Sequence, residues 1–179
     1  MDRQQAIELA RQTGFSHEGV FPASALKFLS EVRDACQTNR CGRYDRSWSC
    51  PPACGTLEEC AARAGEYDWG ILLQTTVEME DDFDIEAMME GERLQKERFD
   101  AFCRSIDESE PHLPLGAGTC TYCEKCTYPD APCRFPKRLR PSMEAFGLLV
   151  TDVCAAADIP YYYGPRTLTY TCCVLFPEK

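Results

Sequence analysis

Residues Tyr67–Val77 read YDWGILLQTTV, an apolar run bounded by charge, with Glu66 before it and Glu78 after it. Its length and its wealth of branched and aromatic residues predict a buried strand. The tail Thr167–Phe176, TLTYTCCVLF, has the same character and predicts a second. Around these strands the sequence signals helices. Thr56 followed by Glu59 forms a capping box, so a short helix carrying Cys60 is expected after Thr56. From Asp84 to Asp107 the apolar positions Ile85, Met88, Met89, Phe99, Phe102 and Ile106 fall at helical spacing, with a weakly patterned middle from Gly91 to Lys96. Ser142 can cap a helix with the face Met143, Phe146, Leu149, Val150, Val153 and Ala157. The expected fold is α/β or α+β: residues 1–179 as a single compact domain, with a small sheet, flanking helices and two long cysteine-rich metal-binding loops.

The composition sharpens this reading. Of 179 residues, 44% are hydrophobic and 27% charged, ordinary for a globular chain, but 13 are cysteine. An odd number cannot all pair within one chain, and the opening MDRQQAIELARQTGF lacks the apolar run of a secretory signal. A cytoplasmic location, where thiols stay reduced, is therefore expected. A net charge of −10 speaks against nucleic acid as a partner, and no stretch is apolar for long enough to span a membrane.

The cysteines gather in two stretches rich in Pro, Gly and Asn, hence loops. In the second, about Pro111–Pro141, the segment CTYCEKC sets Cys120, Cys123 and Cys126 in a C-x2-C-x2-C triplet, with Cys133 following after a gap of six residues. Such a triplet lets one loop offer thiolates to three corners of an iron-sulfur cubane, and Cys133 can supply the fourth. Zinc is the rival, although its usual pattern is two separated C-x2-C knuckles. In the first loop, about Cys36–Gly55, Cys36, Cys41, Cys50 and Cys54 match no single metal motif. Gly42 permits a tight turn there, while Pro51 and Pro52 stiffen the backbone beside Cys50. These four are a candidate second site, so one or two 4Fe-4S clusters are expected, with zinc as the alternative.

The blocks CGRYDRSWSCPPACG (Cys41–Gly55), CTYCEKC, PCRFP and PSMEAFG, with YDWGILLQ between them and the tyrosine-rich tail, resemble an uncharacterised family of prokaryotic proteins. Its members are described as metal-binding, cysteine-rich and of unknown function. The resemblance implies an iron-sulfur protein, often of anaerobic microbes, and implies no established reaction.

The remaining cysteines read differently. Cys154 lies beside an apolar stripe and is expected in the core, as are Cys60 and Cys103. Adjacent Cys172 and Cys173 in a strand must point to opposite faces, where one of them could face a cluster. Neither His17 nor His112 sits in a ligand motif, and the nucleophile-elbow, phosphate-loop, dinucleotide and radical-enzyme signatures are absent. Arg134, Lys137, Arg138, Arg140 and Arg166 could contact an anion or a partner, with Tyr161–Tyr163 walling the pocket, or they could be a solvated basic face. Three function classes follow: an electron-transfer or redox-accessory protein with a redox partner protein; an enzyme using a metal cluster to bind and transform an anionic small molecule; and a zinc-stabilised interaction module.

Overall fold

The computed structural model describes residues 1–178. Its strands are β1 (His17–Pro22), β2 (Trp69–Glu78), β3 (Leu113–Leu115) and β4 (Thr167–Phe176); its helices are α1 (Arg3–Gln12), α2 (Ser30–Gln37), α3 (Leu57–Ala64), α4 (Ile85–Ser105) and α5 (Val150–Ala156). The strands form one antiparallel sheet in the order β1-β2-β4-β3, so the fold is α+β. The two apolar runs are its central pair, aligned from Trp69 opposite Phe176 to Glu78 opposite Thr167.

Both faces of this pair are covered, which explains why the runs show little polar alternation. On one face Ile71, Leu73, Cys172 and Val174 pack with Phe99 and Phe102 of α4 and Ala6 and Ala10 of α1. On the other, Leu72, Cys173 and Leu175 pack with Cys60 and Ala64 of α3, Val153 and Cys154 of α5, and Phe146. Cys172 and Cys173 do point to opposite faces, and both are fully buried in apolar clusters. The predicted core placement of Cys60, Cys103 and Cys154 holds as well.

The capping box at Thr56 is formed, and α4 is continuous through its weakly patterned middle. Gly91 explains the weak pattern. A Cβ there would lie 2.8 Å from Tyr170 and 2.9 Å from Val77, so only glycine lets the helix approach the sheet so closely.

One expected element differs. The helix running from Met143 is replaced by a 3-10 turn (Glu144–Phe146), a break at Gly147, and α5 alone. Gly147 has φ of +80°, and a Cβ there would meet Leu57 at 2.4 Å. The break shifts the buried positions: Leu148 is fully buried and bridges to Phe28, while Leu149 is 42% exposed. Met143 and Phe146 remain core residues, inserted by a turn in place of a helix face.

Candidate metal centre

The second cysteine loop begins where β3 ends and is closed at its base. The Gly116 N–H donates to the Pro141 carbonyl at 2.8 Å, and the Met143 N–H donates to the Gly116 carbonyl at 3.2 Å. Leu115 and Met143, on either side of this clasp, are fully buried, so both ends of residues 117–140 are anchored in the core. Within the loop the Arg134 Nη1 donates to the Lys125 carbonyl at 2.9 Å, and the Thr127 hydroxyl donates to the Pro132 carbonyl at 2.9 Å.

This winding brings Cys120, Cys123, Cys126 and Cys133 to the wall of one small cavity, which Ser47 and Trp48 of the first loop also line. All four cysteines are half-buried and none is in a disulfide. Burial pushes the Cys120 thiol up, the Tyr122 N–H opposes that, and Cys133, Cys123 and Cys126 push it further. Burial alone would also raise the Cys126 thiol. There the N–H groups of Tyr128 and Trp48, the Ser47 hydroxyl and the Thr127 N–H overcome it and hold the thiol below its ordinary value. Donors around a sulfur stabilise the thiolate, the form that binds metal.

The first loop is therefore a support for the second. The Trp48 indole N–H donates to the Ala131 carbonyl at 3.1 Å, and its ring meets Tyr128 edge-on at 4.9 Å. The Tyr128 hydroxyl donates to Asp45 at 2.7 Å, and the buried Ser49 hydroxyl accepts the Cys120 N–H at 3.1 Å. Sequence reading singled out the cysteines flanking the SWS segment and missed Ser47 and Ser49. Their signal was hydroxyls confined between metal-type cysteines.

Cys36, Cys41, Cys50 and Cys54 are gathered more loosely. Cys36 and Cys41 line an open groove of about 840 Å³ beside α2. Burial, with help from Glu144, pushes the Cys36 thiol up; Cys41 and Cys50 are close enough to add to this, and Arg33 opposes it. Cys50 turns toward the second loop, with its Sγ 3.3 Å from the Thr119 hydroxyl. Cys54 is buried, and a hydrogen bond between its thiol and that of Cys60, both free, pushes the Cys54 thiol up and the Cys60 thiol down. Arg33 braces this pair, with Nη1 3.7 Å from the Cys60 sulfur and Nη2 donating to the Gly55 carbonyl at 2.8 Å.

Three of the four candidate anion-binding arginines come together. Arg134, Arg138 and Arg140, with Lys137, line an open groove of about 780 Å³. Arg138 stacks over Tyr122 at 4.0 Å and pairs with Asp100 at 3.1 Å. Arg166 is not brought to them: it precedes β4, and six residues of strand, about 20 Å, separate Thr167 from Cys173 opposite β3. Nor do the tyrosines wall a pocket there. Tyr161 and Tyr162 are exposed, while Tyr163 stacks on His17 and donates to Gln74 at 2.7 Å.

Fold and site together define a cysteine-rich α+β protein in which four thiols of one loop line a single cavity. The family model described as predicted metal-binding protein (DUF2284) matches residues 19–176, and the chain belongs to that family. No curated protein and no solved structure matches it. Among the described residues, no helix is long and apolar enough to cross a membrane.

Proposed function

We propose that Cys120, Cys123, Cys126 and Cys133 hold a 4Fe-4S cluster, and that the protein is a cytoplasmic electron-transfer or redox-accessory protein. The observation that carries this is the disposition of the thiols around a cavity. The four thiols line one cavity, and three of them come from a C-x2-C-x2-C triplet in a single loop, the spacing of cluster ligands, whereas zinc's usual pattern is two separated C-x2-C knuckles.

The bound cluster would supply a one-electron store. The chain's own part is to hold the thiolates, direct N–H and O–H donors at Cys126 and shield the site with Trp48. Donors at sulfur and nearby cations favour the reduced, more negative cluster. The groove of Arg134, Lys137, Arg138 and Arg140 gives an acidic redox partner a place to dock on an otherwise anionic molecule. The test is metal and sulfide analysis of anaerobically purified protein. Iron with inorganic sulfide, about four of each per cluster, and a broad absorption near roughly 400 nm are expected. Stoichiometric zinc without colour would overturn the reading.

A further inference from the structure

Cys133 differs in its surroundings from Cys120 and Cys126. Those two are tied to the first loop: the Cys120 N–H donates to Ser49, and the Cys126 sulfur receives the Ser47 hydroxyl and the Trp48 N–H. Around Cys133, by contrast, every other residue from 129 to 138 is exposed. The Phe135 N–H donates to the Cys133 sulfur at 3.4 Å. Arg134 and Phe135 line the cavity of the four thiols and also the basic groove of about 780 Å³. This short stretch of chain is thus the partition between thiols and groove.

The groove carries a surplus of positive charge. Arg104, Arg134, Lys137, Arg138 and Arg140 line it with a single carboxylate, Glu108. Asp100 is shared among three of these cations, at 3.1 Å from Arg138, 3.4 Å from Arg104 and 3.8 Å from Arg140. Lys137 and Glu108 are 84% and 88% exposed, and so exposed a pair is weak enough for another carboxylate to displace. Inside this charged rim Phe135 is 41% exposed, which gives the apolar centre and polar rim of a protein interface. The chain as a whole, with its net charge of −10, repels an anion that the groove attracts.

We propose that electrons enter and leave the protein through this groove, on the Cys133 side of the site, with an acidic one-electron carrier protein docked over Phe135. The proposal rests on the cluster reading given above. One electron passes from the reduced protein to the oxidised carrier, and no bond or proton moves with it. Such encounters use small interfaces, below about 1,200 Å², and charge complementarity acts mainly on the rate at which they form. Exchange is therefore fast at low salt and slows as salt screens the groove.

The experiment uses the full chain, purified anaerobically and analysed for iron and sulfide. Reduced protein is mixed by stopped flow with a substoichiometric one-electron oxidant, either the trianion tris(oxalato)cobaltate(III) or the trication tris(phenanthroline)cobalt(III). The trianion rate is expected to fall as salt is added and the trication rate to rise, the reverse of what the net charge of −10 alone would give. Lys137→Glu should slow the trianion about tenfold at low salt. Lys27→Glu makes the same change of charge at a lysine that pairs with Asp152 of α5 and lies outside the groove, and should alter the rate by less than about twofold. Tris(oxalato)chromate(III), of the same charge and shape but not reduced, gives a readout free of electron transfer. Calorimetry should find one saturable site for it that Lys137→Glu weakens, and the complex should inhibit the cobaltate reaction competitively. Chromate binding without inhibition would make the groove an anion site and not the point of exchange. That result, no saturable chromate binding, a trianion rate that rises with salt, or equal effects of the two lysine variants would overturn the proposal, while iron and sulfide in the sample leave the cluster in place. Absence of iron and sulfide would overturn both.

Discussion

The two cysteine-rich loops hold the same number of candidate ligands, yet only the second turns them toward one space. Three of its thiols are spaced every third residue, and the fourth follows seven positions later, on a segment clasped at its base, so a single winding presents them together. In the first loop, Cys36 belongs to the last turn of α2, Cys41 lies beyond a turn, Cys50 reaches toward Thr119, and Cys54 is committed to Cys60 and Arg33. Spacing decides the outcome. Ligands drawn from one closed loop share a cavity, whereas ligands drawn from a helix end and successive turns are pulled toward different neighbours.

The contrast is broken most directly at the triplet. Cys120→Ser, Cys123→Ser and Cys126→Ser should each remove most of the iron bound by the second loop, since serine is a harder and poorer ligand. Cys154→Ser, in the core with Gln74 Nε2 3.5 Å from its sulfur, should keep full iron and lose about 1–2 kcal/mol of stability. Iron analysis and denaturant unfolding of the same set measure both. Full iron and an unchanged spectrum in the triplet variants would end the cluster reading.

The next variant asks whether the first loop is only a support. If Cys36, Cys41, Cys50 and Cys54 hold a second cluster, the double change Cys41→Ser with Cys50→Ser should lower iron per chain by about half. Unchanged iron would reduce these cysteines to structural and packing roles. A smaller effect is expected at Ser47, whose hydroxyl supports Cys126. Ser47→Ala removes one donor to sulfur, on the order of 1 kcal/mol, and should lower the cluster potential by about 40 mV for one electron with iron retained. Protein-film voltammetry reads this; an unmoved potential would mean that the hydroxyl does not act on the cluster.

The smallest effect belongs to neither loop and serves as a control on acid sensitivity. Burial lowers both histidines, with Arg140 adding to the effect at His112 and Glu18 opposing it at His17. A base whose folded pKa is depressed binds fewer protons folded than unfolded, so its share of stability is present above about pH 6.5 and lost as pH falls. Urea midpoints should therefore drop between about pH 7 and pH 5, and the drop should shrink in the His17→Gln, His112→Gln double variant. An equal drop in that variant would assign it to other groups.

The sheet was legible because β2 and β4 are buried on both faces, and a ten-residue apolar run has few other uses. The helix capped at Thr56 and the long α4 were legible from caps and spacing. Harder to read were elements with weak patterns. Helix α1 buries only Ala6 and Ala10, α2 buries nothing fully, β1 includes Glu18 and Gly19, and β3 is three residues with Pro114 on a sheet edge. The stripe after Met143 misled because a 3-10 turn and a break at Gly147 bury nearly the same residues as a helix would. At the site, the second cysteine set could be read from spacing alone. The contribution of Ser47, Trp48 and Ser49 could not, since it depends on two loops about 70 residues apart in sequence meeting in space.

The clasp at Gly116, Pro141 and Met143 bears on the order of assembly. Because residues 117–140 leave and re-enter the body of the protein at one point, with Leu115 and Met143 already seated, the sheet and its helices can form before any metal arrives. The loop is then a receptacle mounted on a finished scaffold. If the proposed cluster is bound there, iron and sulfide would reach it from outside, and an oxidised centre would be dismantled and rebuilt without unfolding the rest of the molecule.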